Sequence, residues 1–294
     1  MKRVIVTGAS GFIGEATLAP LIERGFEVHV LGRRAAPRTT HHAIDLLNDD
    51  PAVLLVAIAP THLLHLAWYA EPGKFWSAAQ NLDWVAASLR LARGFAAAGG
   101  ARLVAAGSCA EYDWTGDGLL DEATTPLRPA TLYGIAKATL FSVLTAAAPV
   151  LGLSFAWGRV FFPYGPFEKP GRLLSGILDG IAANEAVALS EGTQQRDFLH
   201  VDDAGAAFAA LLDGAVEGPV NIGSGAAVAV RDFATAAGEA ANGAHLLRHG
   251  ARPLQPGEPQ LLVATTRRLA AEVGVTPRHT LASGLADAAA RRAR

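Results

Sequence analysis

Apolar positions along the N-terminal half of the chain alternate between two kinds of pattern. Val4-Ile5-Val6 is the short β-branched run of a buried strand, and residues 12–24 then carry Ile13, Leu18, Leu21 and Ile22 at helical spacing until Gly25 interrupts them. Residues 26–31 alternate as a second strand, 62–66 form another short one, and 76–98 make a long amphipathic helix stopped by Gly99-Gly100. Residues 102–106 predict a strand, 131–147 a helix and 153–160 a strand again. Such repetition implies right-handed crossovers and an α/β fold, a doubly wound parallel Rossmann sheet with helices on both faces. Near Pro163 the pattern changes: Pro163, Gly165, Pro166, Pro170 and Gly171 cluster, and a smaller, mixed C-terminal lobe is expected to begin there. Residues 197–212 read as a strand and a helix that return to the sheet. The expected division gives 1–163, with 195–222 returning to it, to a dinucleotide-binding domain. Residues 164–194 and 223–294, with the Pro-rich stretch 252–257, form a substrate-binding lobe.

The link between the first strand and the first helix is Thr7-Gly8-Ala9-Ser10-Gly11-Phe12-Ile13-Gly14. Gly8 permits a tight turn, Gly11 keeps a Cβ out of the path of a pyrophosphate, and Gly14 lets the helix pack closely on the sheet. The helix start at Phe12 and Ile13 offers unpaired N–H groups and a positive dipole end to phosphates. The spacing is G-x-x-G-x-x-G, not the commoner G-x-G-x-x-G, so its weight comes from its place between a strand and a helix. At the end of the second strand an acidic residue would bind a ribose 2′-hydroxyl. This chain has Leu31-Gly32-Arg33-Arg34 there. Guanidinium matches a 2′-phosphate that a carboxylate would repel, so Arg33 and Arg34 favour NADP over NAD. Asp45 and Leu46, after a third candidate strand, are positioned to flank the adenine.

Tyr133-Gly134-Ile135-Ala136-Lys137 opens the helix of residues 131–147, which puts Tyr133 and Lys137 on one face. An ammonium beside a phenol favours the phenolate and draws its pKa down from about 10, making the tyrosine a usable acid or base. Ser108 follows the strand of residues 102–106 and projects from a carboxyl-end loop, where parallel sheets bind ligands. Its hydroxyl can orient and polarise a substrate carbonyl. His65 and His200 lie on apolar segments and read as hydrogen-bonded core histidines, and Trp68, Tyr69 and Trp114 read first as packing.

Composition removes other classes. Lys plus Arg number 25 against 27 Asp plus Glu, a net charge of −2, so the basic footprint of a nucleic-acid binder is missing. The single cysteine, Cys109, can form neither an internal disulfide nor a cysteine zinc site, and no metal is expected. The longest unbroken apolar run, residues 53–60, falls short of the roughly 20 residues of a membrane helix. Without a secretory-type leader, the expectation is a cytoplasmic protein with no membrane partner.

Together these residues resemble the extended branch of the short-chain dehydrogenase/reductase superfamily, which includes nucleotide-sugar epimerases, dehydratases and reductases. Residues 7–14 look like its cofactor loop, His65-Leu66-Ala67-Trp68 like its fourth-strand motif, and Asn81 like its helix asparagine. Ser108, Tyr133 and Lys137 look like its catalytic triad. R-V-F-F-P-Y-G-P at 159–166, G-T-Q-Q-R-D-F-L-H-V at 192–201 and N-I-G-S-G at 221–225 resemble its later signatures. The resemblance implies a sheet of about seven parallel strands. It implies that the backbone at Leu66 and Ala67 lies along the cofactor, that Lys137 also holds the nicotinamide ribose, and that the chain near Val160 holds the carboxamide. It further implies that Arg196 and Arg252 face a substrate diphosphate, with Arg172 a third candidate, and that two helices, 76–98 and 131–147, build a homodimer.

Departures from the family pattern bear on the reaction. Ser108 is followed by Cys109-Ala110 where dehydratases carry an acidic pair, and Glu111 comes one place late. Cys109 is one position from the cysteine of the 3,5-epimerase/reductases, and Phe167 stands where their histidine would. The expectation is therefore an NADP-dependent enzyme that reduces a keto group, the 4-keto group of a nucleotide-activated deoxysugar. The alternatives are a nucleotide-sugar 4-epimerase with tightly bound NAD and a non-catalytic dinucleotide sensor.

Overall fold

In the computed structural model, residues 2–254 and 257–292 are described; Gln255 and Pro256 of the Pro-rich stretch fall outside them. The elements are, in chain order, β1 (Lys2–Thr7), α1 (Phe12–Glu23), β2 (Phe26–Gly32), β3 (Thr40–Ala43), α2 (Ala52–Ile58), β4 (His62–His65), α3 (Gln80–Ala97) and β5 (Arg102–Ser108). They continue with α4 (Leu132–Leu151), β6 (Ser154–Val160), α5 (Leu173–Ala182), α6 (Val201–Asp213), β7 (Gly218–Ile222), α7 (Val230–Ala240) and α8 (Leu281–Arg292). Seven strands pair in parallel in the order β7-β6-β5-β4-β1-β2-β3, the doubly wound topology expected from the repeating pattern.

Both faces of the sheet are covered, which explains why β1 reads as a continuous apolar run rather than an alternation. Val4 and Val6 point into one layer with Leu18, Leu21 and Phe208, while Ile5 joins Leu55, Leu91 and Leu140 in the other. Each such fully buried aliphatic side chain contributes about 1.5–3 kcal/mol. A separate apolar cluster, with Tyr164, Ile177, Phe233 and Leu285 at its centre, joins α5, α7 and α8 away from the sheet. β7 and α6 return to the sheet, α6 packing on α1. Gln195–Arg196 instead pairs with Val228–Ala229 and Leu261–Leu262 in a small three-stranded ribbon.

Two differences from the sequence pattern have local causes. Residues 76–79 do not belong to α3, which begins at Gln80. The Trp76 carbonyl accepts the Tyr133 N–H at 3.1 Å, and the Asn81 amide donates to the carbonyls of Phe75 and Ala78, so these acceptors are spent outside the helix. α4 is long and apolar enough to cross a membrane by length and composition, although Lys137, Thr139, Ser142 and Thr145 break its apolar positions into short runs. It lies along the sheet with Leu140, Leu144 and Ala148 in the core and packs against α3.

Candidate active site

The carboxyl ends of β1, β2, β4 and β5 open onto a cleft of about 970 Å³, also lined by Pro166, Phe167, Glu168, Lys169 and Arg172. Gly8 adopts φ +74°, and a Cβ there would come within 2.6 Å of the Ala67 nitrogen. At Gly14 a Cβ would lie 2.0 Å from the Gly8 carbonyl oxygen, so the turn and the helix can approach only as glycines. No side chain caps α1, whose N-cap is Gly11, and Phe12 and Ile13 line the cleft with it. Unpaired N–H groups beside a backbone-lined hollow fit a pyrophosphate. Leu66 and Ala67 form the adjoining wall. Arg33 and Arg34 lie exposed on the rim just beyond β2, neither in an ion pair among the described residues. Asp45 and Leu46 line the same end, but the Asp45 carboxylate is engaged by the Leu47 and Asn48 nitrogens in its own turn. A nicotinamide dinucleotide therefore fits these residues. Val160 ends β6 level with Ser108, and it is buried and does not line the cleft; Pro163 does.

Ser108, Tyr133 and Lys137 come together behind this cleft. Ser108 ends β5 and caps a single 3-10 turn, its hydroxyl accepting the Ala110 N–H while Glu111 returns to accept the Ser108 N–H at 2.7 Å. Thr131 caps α4, which starts the helix just before Tyr133 and sets Lys137 one turn on. The Tyr133 phenol lies on the Ser108 side of the site, close enough for that hydroxyl to favour its ionised form. Its ring is boxed edge-on by Phe75, Trp76 and Trp68. Lys137 Nζ donates to the Ala106 carbonyl at 2.8 Å and lies 3.7 Å from the centre of the Trp68 ring.

The electrostatics differ from the expectation for an isolated Tyr–Lys pair. Burial pushes the Tyr133 phenol well above its ordinary value, opposed by the Ser108 hydroxyl and the Arg172 charge. Burial also pushes Lys137 down to about 7, opposed by Glu111. Desolvation thus outweighs the lysine's pull on the phenol, and Tyr133 is held protonated. Cys109 is buried and pushed up to about 12 by that burial, so it offers no thiolate.

The three arginines separate. Arg172 is exposed, lines the cleft and lies over Phe75, on the Tyr133 side. Arg196 is buried and paired with Glu258 at 2.8 Å. Arg252 lines a second hollow of about 190 Å³ that also contains Arg231, His249 and Glu258. Sequence reading missed what lies beneath Ser108. Glu111 is fully buried, paired with Arg159 at 2.8 Å, and also accepts from the Trp157 indole. It is thus unavailable as a reacting acid. Asp197, equally buried, accepts from Ser224, Gly225 and Ala264 and so anchors the 221–225 segment. His65 is a core residue bonded to Thr7 and Ser88, and burial pushes it down to about 3.

Comparison with known proteins agrees with this geometry. The NAD dependent epimerase/dehydratase family matches residues 4–223. UDP-glucose 4-epimerase of Corynebacterium glutamicum is 24% identical over 95% of this chain and 92% of its own length. dTDP-6-deoxy-L-talose 4-dehydrogenase (NAD(P)(+)) of Kitasatospora kifunensis is 31% identical over 78% of this chain and 76% of its own. The crystal structure of Thermus thermophilus UDP-glucose 4-epimerase in complex with NAD superimposes with a TM-score of 0.88 at 26% identity, covering 99% of both chains. With the family model spanning residues 4–223 and the whole chain superimposing on such a structure, the chain belongs to the NAD dependent epimerase/dehydratase family, in the extended short-chain dehydrogenase/reductase superfamily.

Proposed function

We propose that this protein is an NADP(H)-dependent ketoreductase acting on the 4-keto group of a nucleotide-activated deoxysugar. The observation that carries this reading is the placement of Tyr133 near Ser108 at the carboxyl edge of the sheet, one helical turn before Lys137, where burial favours the protonated phenol. A general acid must hold a proton to give, and a reduction consumes one at the carbonyl oxygen. Gly8, Gly11, Phe12, Ile13, Gly14, Leu66 and Ala67 would hold the dinucleotide, with Arg33 and Arg34 at its 2′-phosphate. The bound cofactor supplies the two-electron chemistry. Tyr133 donates its proton to the substrate oxygen, Ser108 hydrogen-bonds that oxygen, and the Lys137 ammonium stabilises the phenolate left behind. Arg172 faces the sugar side, and the hollow with Arg231 and Arg252 suits a nucleoside diphosphate. The likeness to the 4-dehydrogenase of K. kifunensis supports the reading. The experiment is turnover of nucleoside-diphosphate 4-keto-6-deoxyhexoses, followed by sugar-dependent loss of NADPH absorbance. No loss with any of them overturns it.

The end-to-end likeness to a UDP-glucose 4-epimerase favours a second reading, a 4-epimerase. An epimerase purifies with its NAD and interconverts nucleotide hexoses without net redox change, whereas a reductase purifies free of cofactor. Elimination has less support, because Glu111 is spent on Arg159 and Trp157.

Arg33 carries the cofactor preference. Arg33→Asp removes a charge-assisted contact worth about 1.5–3 kcal/mol, so the NADPH Kd is expected to rise about 10- to 100-fold, with NADH changing less than about threefold. Equal losses for both dinucleotides would remove the 2′-phosphate role. A homodimer belongs to the same reading: Leu82 of α3 and Ile135, Val143 and Val150 of α4 are exposed apolar side chains on two helices that pack together. Light scattering is expected to give twice the chain mass; a monomer would exclude it.

A further inference from the structure

Trp68 stands where the cofactor cleft meets Lys137. It lines the cleft three residues after β4 and presents its ring to Lys137 Nζ at 3.7 Å. The indole cannot turn freely. Its N–H donates to Asn81 Oδ1 at 2.8 Å, and Asn81, fully buried, is fixed in turn by donating to the carbonyls of Phe75 at 2.8 Å and Ala78 at 2.9 Å. Lys137 itself is buried, with one hydrogen-bond acceptor, the Ala106 carbonyl, and no ion pair among the described residues. The groups around it come from four elements. Glu111, in the turn after β5, favours the charge at longer range, and the neutral His65 of β4 has both nitrogens bonded to Thr7 and Ser88. Tyr133 is one turn away on α4, and the Trp157 ring of β6 lies at 5.9 Å. An ammonium has three donors, and one acceptor leaves it under-solvated. The negative face of an indole at 3.7 Å supplies what the hydrogen bonds do not.

We propose that Trp68 is a positioning residue for the reaction: its indole face, locked by Asn81, holds the Lys137 side chain in place and keeps it protonated. Only the consequence for turnover rests on the function proposed above. The titration of the lysine does not, so the two can fail separately.

The chain contains four lysines, Lys2, Lys74, Lys137 and Lys169, so lysine labelled with carbon-13 at Cε gives four signals. Lys137→Arg assigns the one of interest. In the wild type that signal carries an upfield ring-current shift and titrates near neutrality. Trp68→Leu keeps an apolar wall but removes the π face, and the Lys137 midpoint is expected to fall by about one unit. Trp68→Phe keeps a face and recovers most of that shift. The charged form exists below the midpoint, so in an active enzyme the alkaline limb of the kcat profile moves to lower pH in Trp68→Leu, with KM little changed. A midpoint that stays put or rises in Trp68→Leu would mean that the indole only excludes water, and the proposal falls. Should that variant not fold, absence of the ring-current shift in the wild type overturns it equally. Loss of all turnover with the titration behaving as described would instead count against the proposed reaction alone.

Discussion

Tyr133→Phe is expected to lower kcat by about 10²–10⁴-fold while leaving dinucleotide affinity within about threefold of wild type. The substitution deletes one oxygen and keeps the ring that packs edge-on against Phe75, Trp76 and Trp68. The N–H that holds residue 133 to the Trp76 carbonyl is a backbone group and survives. The loss therefore reports proton transfer rather than misfolding, and stopped-flow reduction with saturating NADPH separates it from binding. The pH dependence has a definite sign. Burial raises the phenol, so the acid form persists through neutral and moderately alkaline pH and does not limit the rate there. The group that titrates in that window is Lys137, pushed down to about 7, so activity is expected to fall as pH rises through that region. An activity unchanged in Tyr133→Phe would remove the phenol from the chemistry and require another donor, such as the Lys137 ammonium or water, to supply the proton.

The parts of this site that were legible in the chain are those in which local pattern and chemistry coincide. The glycine loop could be read because a close approach of backbone admits only Gly8 and Gly14, and that requirement is written at fixed spacing directly after a strand. Tyr133 and Lys137 could be read because helical periodicity alone puts them on one face. α2 was not legible: its seven residues bury only Leu55 and Ile58 while Val53 and Val56 stay exposed, so it looks like a plain apolar run. The buried group of Glu111, Trp157 and Arg159 was not legible either. Glu111 and Arg159 are 48 positions apart in the chain and meet only because β5 and β6 are neighbours in register. Arg196 shows the same limit, since its partner Glu258 lies 62 positions on, and nothing at either position announces the pair. Desolvation, which reverses the expected shift of the phenol, depends on enclosure by segments distant in sequence.

The support under Ser108 gives the second large effect. Glu111 accepts from three kinds of donor at once: the Ser108 N–H, the Trp157 indole and the Arg159 guanidinium, whose side chain is 1% exposed. Arg159 also donates to the Tyr112 hydroxyl at 3.2 Å, and Tyr112 donates to Asn221 on β7, so the carboxylate anchors a chain of bonds that crosses from the catalytic loop to the edge strand. Glu111→Ala leaves a guanidinium buried without its counter-charge and two N–H groups without acceptors, and is expected to cost about 3–5 kcal/mol of unfolding free energy by urea titration. That is a large share of the total stability of a domain. Glu111→Gln keeps an acceptor for the Ser108 N–H but not the charge, and should fall between wild type and Glu111→Ala. The double variant Glu111→Leu with Arg159→Met removes both charges together and is expected to recover much of the loss, because the penalty lies in the unpaired ion rather than in the absent bond. Because Ser108 owes its N–H acceptor to the same carboxylate, that double variant should be stable yet slow, its hydroxyl no longer held toward Tyr133. If Glu111→Ala cost less than about 1 kcal/mol, Arg159 would have to be reaching water or another acceptor, and the carboxylate could no longer be regarded as the support of the catalytic loop.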